Sequence, residues 1–125
     1  MATFFNSTTL VGRLTRDAEL KLISSTNKLS FTLAVDRPFS DKRQPGASGT
    51  DFIPIAIWGK RAESLADYLR KGKLVMIYGR LQIHVYPKDG INKKYTEVIA
   101  DRVIFFDTKP LAGEAYPSMS LNSAN

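Results

Sequence analysis

The chain has 125 residues, enough for one domain with its own core and little else. Hydrophobic content of 43% and charged content of 24% are ordinary for a soluble globular protein, and no run approaches the ~18 apolar residues of a membrane span. Lys and Arg total 18 against 12 Asp and Glu, for a net charge of +6 and a pI near 9.7, which points toward a polyanionic partner. The absence of Cys excludes disulfides and thiolate metal sites. Residues 1–6 also lack the basic-then-apolar layout of a secretory signal, so a cytoplasmic location is expected. Residues 108–125 hold only Lys109 and Glu114, which cancel, so the whole excess of +6 lies in residues 1–107.

Residues 8–14 read as a strand with Leu10, Gly12 and Leu14 on one face and Val11 and Arg13 on the other. Gly12 inside it signals a bulge or a sharp bend. A turn over 15–18 leads into an extended stretch over 19–23, and 24–27 is a loop of turn-favouring residues. Residues 28–39 form a clearer strand in which Leu29, Phe31, Leu33 and Val35 alternate with Ser30, Thr32, Ala34 and Asp36. Pro38 cannot donate to a ladder and implies a bend before Phe39. Residues 40–50, rich in polar residues, Pro and Gly, read as a surface loop carrying Lys42 and Arg43.

Residues 51–60 are the most informative stretch. Ile53, Ile55 and Ile57 share a core face, and Phe52, Pro54, Ala56 and Trp58 take the other. That second face carries two large aromatics, one of them the only Trp, and runs straight into Lys60 and Arg61. Rings beside fixed positive charge suit unpaired bases, which stack while cations hold their phosphates. A strand buried on both faces is the competing reading.

Ala62, Leu65, Ala66 and Leu69 recur at helical spacing and predict a helix over 60–70. Gly72 closes it, with Arg70 and Lys71 at the negative end of its dipole. A helix of about three turns is too short for a layer and more plausibly plugs one end of a curved sheet. Residues 74–86 predict a long strand with Val75, Ile77, Leu81, Ile83 and Val85 on the inner face. Arg80, Gln82, His84 and Tyr86 lie opposite, and Gly79 permits another bend or bulge. Asp89-Gly90 marks a hairpin turn, and residues 93–106 return as the last strand. The order suggests an all-β fold with one helix, a five-stranded antiparallel Greek-key β-barrel with its helix after the third long strand, as in an OB-fold. Residues 1–107 make this domain, and 108–125 read as a short flexible tail.

Catalysis finds little support. His84 is the only histidine, which excludes a His cluster for metal. No Gly-x-x-x-x-Gly-Lys-Ser/Thr run offers a phosphate cradle, and Asp17, Glu19, Asp36 and Asp101 are scattered. No enzyme activity, cofactor or metal is expected. Binding gathers more. Phe39, Phe52, Trp58 and Tyr86 each lie at a strand end or on a face that does not hold the core, and all have basic neighbours. Phe31, Tyr68 and Phe105 read as core, while Tyr78, Tyr95 and Phe106 fit either side. The expected phosphate and backbone contacts are Arg13, Arg37, Lys42, Arg43, Lys60, Arg61, Arg80, His84, Lys88 and Lys93.

Several segments together resemble the bacterial-type single-stranded DNA-binding proteins. The likeness runs through Asn6-Ser7-Thr8-Thr9-Leu10-Val11-Gly12-Arg13-Leu14-Thr15-Arg16-Asp17-Ala18-Glu19, Phe31-Thr32-Leu33-Ala34-Val35 and Trp58-Gly59-Lys60-Arg61-Ala62-Glu63. It continues in Tyr68-Leu69-Arg70-Lys71-Gly72, Gly79-Arg80-Leu81 and Tyr95-Thr96-Glu97-Val98, in the family's order and spacing. The resemblance implies an OB-fold that binds single-stranded DNA without sequence preference in replication, recombination and repair, usually as a homotetramer. It implies stacking at the positions matched by Phe39, Phe52, Trp58 and Tyr86. Three of these are Phe or Tyr where better-known members often carry Trp, so somewhat weaker stacking is expected, each base contributing about 1–3 kcal/mol. Many members end in an acidic tip that recruits replication and repair proteins. Residues 121–125 have no such tip, and recruitment through the tail is not expected. An OB-fold protein-interaction module of the primosome-adaptor type, or a single-stranded RNA-binding module, are the alternative readings.

Overall fold

The structure, a computed structural model, describes residues 3–38 and 49–106. Phe39, Lys42, Arg43 and the tail expected over 108–125 lie outside the described residues. The elements in order are β1 (Thr8–Leu14), β2 (Glu19–Ile23), β3 (Thr26–Asp36), β4 (Thr50–Trp58), α1 (Lys60–Leu65), β5 (Leu74–Lys88) and β6 (Ile91–Phe105).

β1 has two partners. It pairs with β5 from Thr8 to Arg13 and with β3 at Arg13 and Leu14. Together with the β5–β6, β6–β4 and β4–β3 pairings, this closes β1, β5, β6, β4 and β3 into a ring, and β2 extends it as a hairpin with β3. Strand direction cannot alternate all the way round a ring with an odd number of members. One seam must be parallel, and it falls between β4 and β6, at Ile55–Val98 and Ala56–Ile99. The barrel thus departs at that one seam from the antiparallel arrangement expected throughout, and the seam is short.

The ring interior takes the residues that alternation assigned to it. Leu29, Leu33, Ile57, Val75 and Ile77 are fully buried, with Leu14, Ile55 and Val98 beside them. Each such side chain contributes about 1.5–3 kcal/mol through burial. Ala62 and Leu69 close one end of this core, with Leu65 and Ala66 packed against it.

The helix itself is shorter than 60–70. After Leu65 the chain tightens: the Tyr68 N–H donates to the Leu65 carbonyl, three residues back, which is 3₁₀ spacing. This brings Leu69 into the core. Tyr68, expected inside, falls at the edge of the apolar stripe and is 60% exposed, with its ring edge-on to Phe105 at 6.4 Å.

The β5–β6 hairpin holds the other departure. Its register shifts at Tyr78 and Gly79, which pair with Arg102 and Ala100 and leave Asp101 as the extra residue of a bulge. Here the backbones crowd: a Cβ on Gly79 would lie 2.9 Å from the Ile99 carbonyl carbon. Past the bulge the two strands run on as an arm to Lys88 and Ile91. Leu81, Ile83 and Val85 therefore stay exposed, although they share the face of Val75 and Ile77. Alternation assigns a face; it does not guarantee anything packed against it.

At the far end of β3 and β4, the Arg37 guanidinium forks onto the Asp51 carboxylate, with Nη2 2.7 Å from Oδ1. That hydrogen bond, opposed by desolvation and helped by the charge of Arg37, holds the Asp51 carboxyl below its ordinary 3.8.

Two outcomes follow. Gly79→Ala should lower stability by about 1–3 kcal/mol through overpacking, measured by urea unfolding, whereas Gly49→Ala, where a Cβ meets nothing within 4 Å, should leave it unchanged. Because the folded value of Asp51 is depressed, its contribution is present above 3.8 and is lost as pH falls through the folded value. In an NMR pH titration, Arg37→Met should return the Asp51 carboxyl to its ordinary midpoint.

Candidate nucleic-acid interface

β4 sends Ile53, Ile55 and Ile57 inward, so Phe52, Pro54, Ala56 and Trp58 must face out. Across the ladder from them on β3 stand Ala34, Thr32, Ser30 and Lys28. Phe52 is 61% exposed and Trp58 36%, so neither ring is sealed into the barrel, while Ala56 is fully covered. With about 3.3 Å of rise per residue, the two rings stand roughly 20 Å apart. A groove of about 340 Å³ lies on the same face, lined in part by Arg16, Ser30, Thr32, Pro54 and Tyr95.

The arm continues this face. Tyr86 sits opposite Lys93, His84 opposite Tyr95, and Gln82 opposite Glu97, so all six side chains project to one side. Tyr86 is 44% exposed and Tyr95 43%. A second hollow of about 310 Å³, almost wholly apolar, opens beside Phe52 between Leu10, Ile53, Leu81 and Val98. Among the described residues no helix is long and apolar enough to cross a membrane, and no group of three or more acidic, His or Cys side chains could hold a metal ion.

The cations proposed from sequence divide into two sets. Lys60, Arg80, Lys88 and Lys93 are exposed and have no carboxylate partner among the described residues; Arg80 is oriented by a 2.8 Å hydrogen bond to Gln82. Of the rest, Lys42 and Arg43 lie outside the described residues, and Arg13, Arg37, Arg61 and His84 are engaged within the fold. Arg37 is neutralised by Asp51. Arg13 Nη1 donates to the Gly72 carbonyl at 2.7 Å, and Arg61 Nη2 to the Ala100 carbonyl at 3.2 Å. His84 is engaged as well, on the outer face: its Nε2 lies 2.8 Å from Glu97 Oε1, an acceptor that removes this nitrogen from any phosphate. Arg13 keeps a place on the outer face, since it pairs with Ala34, which pairs with Phe52.

Lys28 and Glu97 of this face escape sequence reasoning, and Tyr95, which fitted either side, proves to lie on it. Lys28 Nζ lies 5.3 Å from the centroid of the Trp58 ring. Glu97 is only 2% exposed and lies between Lys28 and His84. Tyr95 overhangs the groove, and burial, followed by the negative charge of Glu97, raises its hydroxyl above the ordinary 10.0. No local signal marks Lys28 or Glu97, because each acquires its role from the β3–β4 and β5–β6 registers.

Comparison with known proteins gives a consistent answer. The sequence model of the single-strand binding protein family matches residues 5–106. The chain is 50% identical over 105 residues to single-stranded DNA-binding protein 2 of Clostridium acetobutylicum, covering 82% of this chain and 77% of that one. It is 43% identical over 108 residues to single-stranded DNA-binding protein B of Bacillus subtilis, covering 85% of this chain and 94% of that protein. Among solved structures, a Plasmodium falciparum SSB in complex with ssDNA superposes with a TM-score of 0.73 at 27% identity, over 86% of this chain and 99% of that one. With the ring of strands, the terminal plug and the family match over residues 5–106 in agreement, the chain belongs to the single-strand binding protein family and has its OB-fold.

Proposed function

We propose that this protein binds single-stranded DNA without regard to sequence and shields it during replication, recombination and repair. The observation that carries the reading is the outer face of β4 and the arm, where Phe52, Trp58 and Tyr86 keep exposed ring surface beside cations that have no carboxylate partner among the described residues. Bases stack on these rings, and on Phe39, because every base has a π-face; this makes the binding indifferent to sequence. Lys60, Arg80, Lys88 and Lys93, with Lys42 and Arg43, meet the phosphates. Charge and stacking suffice for such a task, so the reading assigns no catalysis, cofactor or metal, and it places the protein in the cytoplasm.

The reading includes a homotetramer, and one feature supports a self-association surface apart from the aromatic face. Leu81, Ile83 and Val85 project from the opposite side of the arm at 47%, 61% and 59% exposure. Asn6 pairs with the Leu81 backbone through both its amide nitrogen and its oxygen. Phe4 and Phe5, which precede Asn6 in the chain, are almost wholly exposed. Exposed apolar surface of this kind marks a protein contact.

The test is titration with dT oligonucleotides of increasing length, followed by Trp58 fluorescence, with light scattering of the free and bound protein. Quenching is expected, with affinity falling at a log–log slope of about −0.7 per phosphate contact as salt rises. Phe52→Ala, Trp58→Ala and Tyr86→Ala should each weaken binding by about 1–3 kcal/mol and leave urea stability nearly unchanged. No quenching and no gel shift at low salt would defeat the reading. Capture of a protein partner together with weak oligonucleotide binding would favour the adaptor, and preference for rU over matched dT would make RNA the ligand.

A further inference from the structure

Glu97 is the buried charged side chain of the described residues, 2% exposed. A carboxylate withdrawn from water needs partners, and Glu97 has one on each oxygen. Oε1 accepts from His84 Nε2 at 2.8 Å, and Oε2 lies 3.7 Å from Lys28 Nζ. Lys28 stands directly across the β3–β4 ladder from Trp58, and its ammonium lies over the indole. Because β4 sits between β3 and β6, the Lys28 side chain must cross β4 to reach Glu97. The fully covered Ala56 lies next to that crossing.

We propose that Lys28, held from behind by Glu97 and His84, is a positioning residue for Trp58: it covers one face of the indole and leaves the other for a base. The inference rests on the DNA-binding reading above and adds to it how the ring is prepared. A Trp at a strand end has rotamer freedom that binding must remove, and a cation fixed over one face removes it beforehand. The ammonium comes to that place because the buried carboxylate draws it there. Its charge is therefore engaged, and Lys28 is not one of the phosphate contacts. The anchor links the arm, through β5 and β6, to the stacking strand.

Three variants test this, each read by time-resolved anisotropy of Trp58 in the free protein and by oligo(dT) affinity across a salt series. Lys28→Met should loosen the indole and lower affinity about five-fold, with the log–log salt slope unchanged. Lys28→Arg, which keeps a cation able to stack on the ring, should restore both. Lys28→Met combined with Glu97→Gln removes the unpaired buried charge that could unfold the single variant, and it should show the same losses. Unchanged anisotropy and affinity in the folded Lys28→Met proteins would overturn the proposal. So would a slope shallower by about 0.7, which makes Lys28 a direct phosphate contact. Failure of the wild-type protein to bind oligo(dT) would instead overturn the proposed function, and the anisotropy of the free proteins would still judge the pinning.

Discussion

The structure depends on β1 using both of its edges at Arg13. One edge pairs with β5 from Thr8 to Arg13, and at Arg13 and Leu14 the other edge takes up β3. By holding β5 and β3 at once, β1 joins the two ends of the sheet. Gly12 sits just before this double pairing, and a side chain there would collide with the Ala34 carbonyl. Closure then dictates the rest. Five strands in a ring require a parallel seam, and the seam joins β4 to β6. It therefore lays the Trp58 strand beside the strand that carries Glu97 and Tyr95.

Closure also releases one surface for binding. Once the interior is filled by one set of alternate residues, the outer set of β4 has no packing duty, and two large rings can remain there uncovered. In a soluble monomer, exposed aromatics without a partner are a liability. Here they share a face with the groove and with the arm's own tyrosines, which gives them a common purpose. Past the Asp101 bulge β5 and β6 run on together beyond the barrel wall. One side of this arm carries Tyr86, Tyr95, His84 and Lys93, the other Leu81, Ile83 and Val85 with Thr96 and Lys94.

The charges divide in a comparable way. Some of the arginines that sequence offered for phosphate are engaged in structure: Arg37 on Asp51, Arg61 on a β6 carbonyl, Arg13 on the loop after the helix. Arg suits these tasks because its planar fork meets fixed acceptors with little loss of freedom. Exposed lysines, with flexible stems, remain for a mobile polyanion. Glu97 reverses the pattern of a basic face, since its buried negative charge organises two of the neighbouring cationic or titratable side chains.

Alternation placed Ile53, Ile55 and Ile57 on one face and Phe52 and Trp58 on the other, because side-chain direction in a strand is a local property; that the second face is open to solvent was decided by the fold. The helical stripe of Ala62, Leu65, Ala66 and Leu69 was legible for the same reason, and so was the hairpin at Asp89-Gly90. The order of the strands and the single late helix supplied the barrel, and the family likeness in the motifs agreed with it. Tertiary structure alone decided that Leu81, Ile83 and Val85 have nothing above them, that Tyr68 lies outside, and that His84 faces a carboxylate. It also decided which cation meets Trp58. Those are facts about register and about where one strand ends relative to another. They arise from contacts between residues far apart in the chain, on which local periodicity carries no information.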